Sequence, residues 1–295
     1  MWQKIKIWAE MIKLEHTIFS APFMLIAMLW AKTSGSLPTF QELFFCALAL
    51  LGARSASMSL NRVIDAQIDA LNPRTADRAI PKNKIKAWQA ILMAIIGFGL
   101  MYLAALNLNP ICVFLFPLAV FLLSFYSYSK RFTWLCHIIL GICISGAALG
   151  AWLAIGGQFT SPIIFLACGI TFWVAGFDIL YALQDLNFDQ DKKLFSIPSR
   201  FGKQKSLQIS AIFHLACFVF FILSGWSLFY FTKQINFSAL IIWFSALGMS
   251  SQWFFEQHKL IKQNPNQIET IFFTANAKIA FLLFLSVLIG KLFFN

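Results

Sequence analysis

Nine long apolar runs constrain what this 295-residue chain can fold into. Each run is about 20 residues long, which is the length that an α-helix needs to cross a lipid bilayer. Hydrophobic residues make up 59% of the sequence and charged residues only 12%, so a soluble domain of this size could not hide the apolar surface. The sequence therefore predicts an integral membrane protein that is embedded in the lipid bilayer.

The nine runs predict an all-α fold. They lie at residues 17–33, 41–60, 87–106, 110–129, 134–155, 161–183, 207–230, 236–255 and 270–293. The second run contains Arg54 and is the least purely apolar. We expect a polytopic membrane protein in which nine transmembrane helices form one bundle around a central cavity open to the cytoplasmic face. Residues 1–295 are expected to form a single membrane-embedded domain.

The positions of Lys and Arg predict the orientation of the spans, because these residues concentrate in cytoplasmic loops. The net charge of the chain is +11. With the N-terminus in the cytoplasm, the inner segments hold 18 of the 23 basic residues and the outer side holds three, Lys32, Lys233 and Lys291. We therefore expect an N-terminus inside and a C-terminus outside, in the cytoplasmic (inner) membrane of a bacterium. Topology accounts for the basic charge, so nucleic acid is not expected as a partner.

Two acidic clusters of similar design lie 120 residues apart. The first contains Asp65 and Asp69, and the second contains Asp185 and Asp189. Two carboxylates at i and i+4 share one face of a helix, with Cβ atoms about 6 Å apart, and their like charges destabilise that helix. Mg²⁺, in contrast, is typically held by one or two carboxylates together with substrate phosphates. The four aspartates are therefore candidate ligands for a divalent cation.

The positions of these acids within their helices also indicate function. All seven Asp residues of the chain lie in or beside the two clusters. Asp is a poor helix former, and an acid at a helix C-terminus opposes the helix dipole. Asp65 and Asp185 break this local rule in the same manner, which is typical of functional sites. The alternative is that they are solvated loop residues that help to end the helices.

Basic residues follow each cluster and lie at the same predicted membrane face. Arg74 and Arg78 follow the first cluster, and Lys192, Lys193 and Arg200 follow the second. Carboxylates that bind a metal, next to cations that bind oxygens, suit a Mg²⁺-diphosphate. The loop after the fourth run adds two more cations, Lys130 and Arg131. Taken alone, that dibasic pair is also explained as an anchor on the cytoplasmic side.

Taken together, these motifs resemble the UbiA superfamily of intramembrane prenyltransferases. The resemblance rests on Asn-x-x-x-Asp-x-x-x-Asp at 61–69, Arg-Thr-x-x-Arg at 74–78, Lys-Arg-x-Thr at 130–133 and Tyr-x-x-x-Asp-x-x-x-Asp at 181–189. It covers nearly the whole chain. Residues 13–22 and 176–185 are similar to the branch named 4-hydroxybenzoate polyprenyltransferase-like. Members of that branch serve ubiquinone synthesis or, by the futalosine route, menaquinone synthesis.

The resemblance implies an enzyme that uses Mg²⁺ to transfer a polyprenyl group from a polyprenyl diphosphate to a ring carbon of a small aromatic acid. The acceptor it implies is 4-hydroxybenzoate, and a dihydroxynaphthoate stays open as the alternative. By position, the catalytic and metal-binding residues are Asp65, Asp69, Asp185 and Asp189, with Asn61 as a further metal ligand. By position, the residues that contact the diphosphate or line the cavity are Arg74, Arg78, Lys130, Arg131, Tyr181 and Gln184. A glycine that the family has near the end of the first loop is replaced here by Lys82-Asn83. The sequence therefore does not decide the conformation of that turn.

Ionisable residues inside apolar runs are functional candidates by default. Arg54 lies seven residues before Asn61, on about the same helix face, and we assign it to the substrate site. The alternative for Arg54 is a structural partner for a backbone carbonyl. His137 and His214 are expected to be hydrogen-bonded packing residues. A secondary transporter would also place acids in the membrane, but its binding site lies at the bilayer midplane, whereas these carboxylates lie at one face.

Overall fold

The chain folds into a bundle of α-helices. The computed structural model describes residues 2–32, 36–233, 235–263 and 268–294, and this part of the chain contains no β-strand. The α-helices are α1 (Trp2–Met11), α2 (Thr17–Ala31), α3 (Phe40–Ile64), α4 (Ala66–Leu71), α5 (Ala87–Leu106), α6 (Pro110–Phe125), α7 (Cys136–Gly156), α8 (Ser161–Ala182), α9 (Leu186–Asp191), α10 (Ile197–Ser227), α11 (Phe237–Gln263) and α12 (Ile268–Phe293). Short 3₁₀ segments cover Leu14–His16, Tyr126–Arg131 and Leu183–Asp185, and a π-helical turn covers Leu228–Thr232.

The helices confirm the predicted all-α membrane fold. Eight helices in the described ranges are long and apolar enough to cross a bilayer, and α2 is a shorter apolar helix of 15 residues, so the count reaches nine. The seventh apolar run was predicted to start at residue 207, and α10 extends ten residues further back, to Ile197, across a kink at Gly202. Gly202, with φ 73°, lets the polar first turns of α10 join its apolar part. The predicted end of the first span, residue 33, lies outside the described residues.

Helix ends follow local sequence signals. At the start of α3, the Thr39 side chain accepts a hydrogen bond from the Glu42 backbone N–H, and the Glu42 carboxylate accepts one from the Thr39 N–H. This reciprocal capping satisfies two backbone donors that the helix leaves free. Ser196 and Ser199 cap the start of α10 in the same way. Helix α7 ends at Gly157, whose φ of 68° suits glycine at a helix C-terminus.

Small residues allow the helices to pack closely where lipid supplies no hydrophobic driving force between them. Helices α3 and α5 cross at Gly52 and Gly97, where a Cβ on Gly52 would lie 2.6 Å from the Gly97 carbonyl oxygen. Helices α7 and α8 approach at Gly141, where a Cβ would lie 2.3 Å from the Thr171 carbonyl oxygen. These glycines therefore set the spacing of two helix pairs in the bundle.

Helix α8 lies at the centre of the bundle, between α7 and α10. Its Trp173 is fully buried and contacts the rings of Phe23 on α2 and Phe177 on α8. The indole N–H donates to the Asn276 side chain on α12 at 3.1 Å, so the buried polar atoms have partners. This packing fixes the helix that carries the second acidic cluster.

The two acidic clusters occupy equivalent helix junctions. Asp65 lies between α3 and α4 with φ −92° and ψ 2°, and Asp185 lies before α9 with φ −100° and ψ 5°. Asp69 and Asp189 are each the fourth residue of the short helix that follows. The local backbone at the two clusters therefore repeats, as does their sequence pattern.

Candidate active site

Asp65 is held between an amide and an arginine. Asn61 donates its side-chain amide to Oδ2 at 2.8 Å, and Arg131 Nη2 lies 3.0 Å from Oδ1. Arg131 also donates to the carbonyls of Ile64 and Ser127, and these bonds orient its guanidinium. Burial raises the pKa of the Asp65 carboxyl above its ordinary value, and Arg131 offsets part of this effect.

Asp69 forms an ion pair within its own loop. Arg78 Nη1 donates to both carboxylate oxygens at 2.8 Å, and the carboxylate is almost fully buried. The Thr75 hydroxyl donates to the Asp69 carbonyl at 3.1 Å, which folds the loop back over α4. The Arg-Thr-x-x-Arg segment predicted to contact a diphosphate therefore lies against the first cluster.

Asp185 receives donors from the other half of the chain. Arg74 donates through Nε to Oδ1 at 2.8 Å and through Nη2 to Oδ2, and Asn72 donates to Oδ1 at 2.9 Å. A further Arg74 nitrogen donates to the Tyr181 hydroxyl at 3.1 Å, and the guanidinium lies over the Tyr181 ring. Such paired, charge-assisted hydrogen bonds are stronger than neutral ones. They join the first acidic loop to the second.

Asp189 lies beside the start of α10 and the Lys130 loop. The Ser196 hydroxyl donates to Asp189 Oδ2 at 3.0 Å, and Lys130 exerts a strong electrostatic attraction on this carboxylate. The Phe195 N–H donates to the Lys130 carbonyl at 2.8 Å, so the two loops are also joined through their backbones. The loop that carries Lys130 therefore packs against the second acidic cluster.

The structure thus brings both clusters together with Arg74, Arg78, Lys130 and Arg131 in one contact network. The two Asp pairs lie on the same side of the bundle, because Asn72 and Arg74 of the first loop bind Asp185 of the second. Each half of the site supplies carboxylates, and two loops supply cations to them. Arg200 instead lies over the rings of Trp134 and Phe201. No group of three or more His, Cys, Asp or Glu side chains that could hold a metal ion occurs in the described part of the chain.

Three residues of this network were missed by the sequence predictions. Asn72 bridges to Asp185, and Ser196 binds Asp189. Arg62 is 5% exposed and donates to the Met11 carbonyl and to the Asn61 side-chain oxygen, which orients Asn61. Asn72 and Ser196 stand in the loops that follow the two acidic clusters, but their roles could not be found because a short polar side chain in a loop has many possible partners.

Two predicted site residues have other partners. Arg54 donates to the carbonyls of Ile12 at 3.1 Å and Lys13 at 2.9 Å, so the structure favours the alternative reading, a partner for backbone carbonyls at the start of the bundle. Gln184 is exposed and donates to the Tyr181 carbonyl at 3.2 Å. Their contact with substrate stays a prediction.

Asn83 explains the conformation of the turn that the sequence did not decide. Its φ is 54°, in the left-handed region that Asn tolerates better than most other non-glycine residues. The backbone N–H of Asn83 donates to Ile80 at 2.9 Å, and that of Lys84 donates to Ala79 at 2.8 Å. Asn83 therefore adopts the backbone conformation for which glycine is the usual residue, and the loop closes without one.

A cavity of about 790 Å³ lies away from this network, between α10 and α11. It is lined by Lys203, Gln204, Leu207, Gln208, Ala211, His214, Leu215, Phe218, Ser251, Phe254, Phe255 and His258. None of the predicted site residues lines it. We place the chemistry at the acidic loops, because the charged groups that could bind a diphosphate converge there.

The sequence pattern of the UbiA prenyltransferase family matches residues 20–288 of this chain. The chain belongs to the UbiA prenyltransferase family. As a UbiA family member it is an enzyme that transfers prenyl groups. Its curated relatives include the 4-hydroxybenzoate octaprenyltransferase of Vibrio campbellii, which is 27% identical over 213 residues, 71% of this chain and 74% of the relative.

Solved structures of UbiA homologues share this fold. A UbiA homologue from Aeropyrum pernix K1 superposes with a TM-score of 0.82 at 25% identity, over 94% of this chain and 98% of that one. A UbiA homologue from Archaeoglobus fulgidus, solved with DMAPP and Mg²⁺ bound, superposes with a TM-score of 0.68 at 16% identity, over 96% and 99%. The UbiA fold therefore extends over nearly the whole chain described above.

Proposed function

We propose that this UbiA family member transfers a polyprenyl group from a polyprenyl diphosphate to a ring carbon of a 4-hydroxybenzoate-type aromatic acid, in respiratory quinone biosynthesis. One observation carries the proposal: four aspartates from two helix junctions and four cations from two loops meet in a single network. The names of the curated relatives support the choice of acceptor.

The residues present fit a Mg²⁺-diphosphate. Each acidic cluster offers two carboxylates, and Mg²⁺ typically takes one or two carboxylates and completes its shell with phosphate oxygens and water. Asn61, Asp65, Asp69, Asp185 and Asp189 would hold the metal. When bound, Mg²⁺ neutralises charge that develops on the leaving diphosphate.

The basic residues bind and orient the diphosphate. Arg74, Arg78 and Arg131 now bind Asp185, Asp69 and Asp65, and each can move to a phosphate oxygen when the carboxylate takes a metal instead. Lys130 lies within electrostatic reach of Asp189 and Asp185 and adds a fourth cation. Positive groups placed where charge develops stabilise the transition state without reorganisation.

A site inside the membrane suits the isoprenoid part of the substrate. A long isoprenoid chain can lie between apolar helices while its charged head meets the polar loops at the end of the bundle. Exclusion of water protects the allylic cation from being quenched to an alcohol. We further propose that the acidic loops and the N-terminus face the cytoplasm of a bacterium and the C-terminus lies outside. Met1 and Asn295 themselves lie outside the described residues.

A direct assay tests the proposed function. Purified protein in detergent receives one polyprenyl diphosphate and Mg²⁺, with either 4-hydroxybenzoate or a dihydroxynaphthoate as acceptor. C-prenylated 4-hydroxybenzoate is the expected product. Prenylation of the dihydroxynaphthoate alone would transfer the proposal to futalosine-route menaquinone synthesis, and no prenylated product with either acceptor would overturn it.

A further inference from the structure

A buried histidine–aspartate pair lies beside the acidic site and has no role in the contacts described so far. His137 on α7 is fully buried, and its Nδ1 lies 2.6 Å from Oδ2 of Asp178 on α8. The Asp178 side chain keeps 22% of its area accessible, although its neighbours Phe177 and Ile179 are buried. A carboxylate on the central helix therefore stays partly accessible.

His137 has a partner at each ring nitrogen. The backbone N–H of Ile197, the first residue of α10, lies 3.3 Å from His137 Nε2. The contact at Nδ1 holds the ring against Asp178. This bond orients the carboxylate through Oδ2 and leaves Oδ1 to act as a proton acceptor.

Asp178 lies on the same helix face as the metal-binding cluster but deeper in the bilayer. It precedes Asp185 by seven residues, which corresponds to two helical turns or about 10 Å along α8 and the 3₁₀ segment Leu183–Asp185 that continues it. Tyr181, whose hydroxyl binds Arg74, lies between them. Lys130 is attracted to Asp178 as well as to Asp189 and Asp185, so these groups surround one region.

An acceptor that attacks the allylic carbon must lie on the bilayer side of the diphosphate. The prenyl chain continues from the diphosphate into the membrane, so the reacting carbon follows the charged head in that direction. The carboxylate of Asp178 is displaced from the acidic cluster in the same direction. It is therefore placed to contact the aromatic ring rather than the diphosphate.

We propose that Asp178 is the base that removes the proton from the ring carbon, and that His137 is its positioning residue. This inference rests on the proposed function. The allylic C–O bond breaks, and the diphosphate leaves with the bonding pair. A π pair of the ring forms the new C–C bond, the proton of that ring carbon passes to Asp178, and the C–H electron pair restores aromaticity. His137 orients the carboxylate through its contact with Oδ2.

An isotope experiment tests this assignment. The acceptor carries deuterium at the substituted carbon, and kcat is measured for the wild type and for Asp178→Asn, together with release of diphosphate in the absence of acceptor. We expect kcat of Asp178→Asn to fall by about 100-fold or more. Its isotope effect should exceed that of the wild type because proton removal becomes slow, while diphosphate release without acceptor stays within about threefold of the wild-type rate.

Three further variants separate a base from a structural residue. Asp178→Glu keeps the carboxylate and should lose rate without gaining an isotope effect. His137→Gln should raise the isotope effect with a smaller loss of rate, since it disturbs only the orientation of Asp178. Asp191→Asn, at an exposed aspartate that ends α9, is the matched control and should behave like the wild type.

A failure of the base assignment can be distinguished from a failure of the proposed function. If the wild type forms C-prenylated product and Asp178→Asn either retains its rate or loses it without an isotope effect, the assignment of the base is overturned. Equal loss of acceptor-independent diphosphate release would likewise show that Asp178 supports the diphosphate site instead. If Asp178→Asn does not fold, as judged by its thermal transition in detergent, the isotope effect of His137→Gln decides.

Discussion

Arg74 binds both carboxylate oxygens of Asp185, although 111 residues separate them in the chain. Nε donates to Oδ1 at 2.8 Å, and Nη2 donates to Oδ2. This bidentate pair joins the loop after α4 to the junction after α8. A cation predicted to bind the diphosphate thereby contacts a carboxylate predicted to bind the metal. The two groups lie next to each other in the site.

Arg74→Ala should weaken binding of the prenyl diphosphate. A charged hydrogen bond contributes about 1.5–3 kcal/mol, so its loss should raise KM for the diphosphate by about 10- to 100-fold. KM for the aromatic acid should change by less than about threefold, because the guanidinium contacts only the charged head. Steady-state kinetics with each substrate varied in turn gives both values. Lys82→Ala, at an exposed lysine paired with Asp77, is the control, and equal rises in both KM values would contradict a diphosphate role.

Removal of divalent metal should stop turnover. We propose that the carboxylates of Asp65, Asp69, Asp185 and Asp189 hold Mg²⁺ together with phosphate oxygens, so excess chelator should abolish product formation and added Mg²⁺ should restore it. Product is followed by chromatography before and after each addition. Sustained turnover in excess chelator would exclude the mechanism. Far-UV circular dichroism should stay unchanged, because the helices do not depend on the metal.

Asp65→Asn should abolish prenylation and stabilise the metal-free fold at neutral pH. Burial raises the pKa of Asp65 in the folded protein above its unfolded value, so the folded state binds more protons between the two values. Stability then falls as pH rises through this interval, and the neutral amide avoids that loss. The thermal transition of the variant in detergent should therefore exceed that of the wild type at pH 7.

The difference in thermal transition should shrink as the pH is lowered below the unfolded pKa of Asp65, where the wild-type carboxyl is protonated in both states. A variant that is less stable than the wild type at pH 7 would contradict this account. Such a result would mean that the ion pair with Arg131 outweighs the cost of burial.

Gly97→Ala should destabilise the packing of α5 against α3. The new Cβ would lie 2.7 Å from the backbone nitrogen of Ala56 and from the Gly52 carbonyl oxygen, and backbone atoms cannot move aside cheaply. Overpacking of this kind costs about 1–3 kcal/mol. Gly99→Ala on the same helix is the control, because its Cβ would meet nothing within 4 Å. Thermal unfolding in detergent should separate the two variants, and equal transitions would contradict the close approach.

The sequence by itself determined the membrane fold and the chemical character of the site. Nine apolar runs, each long enough to span the membrane, predict a helical bundle. The length of each run follows from the thickness of the bilayer and the rise per residue of an α-helix. The paired aspartates and following arginines were visible because like charges at helix spacing have no structural use. Helix boundaries were less accurate where a polar first turn precedes an apolar run, as at Ile197 in α10.

Only the tertiary structure decided which side chains meet. Arg74 binds Asp185 rather than an acid of its own loop, Arg54 binds the carbonyls of Ile12 and Lys13, and His137 binds Asp178. Each pairing joins residues more than 40 positions apart, so it depends on how α3, α7 and α8 pack. Charge and spacing predict which groups seek partners, but only the distances set by close helix packing select the partner.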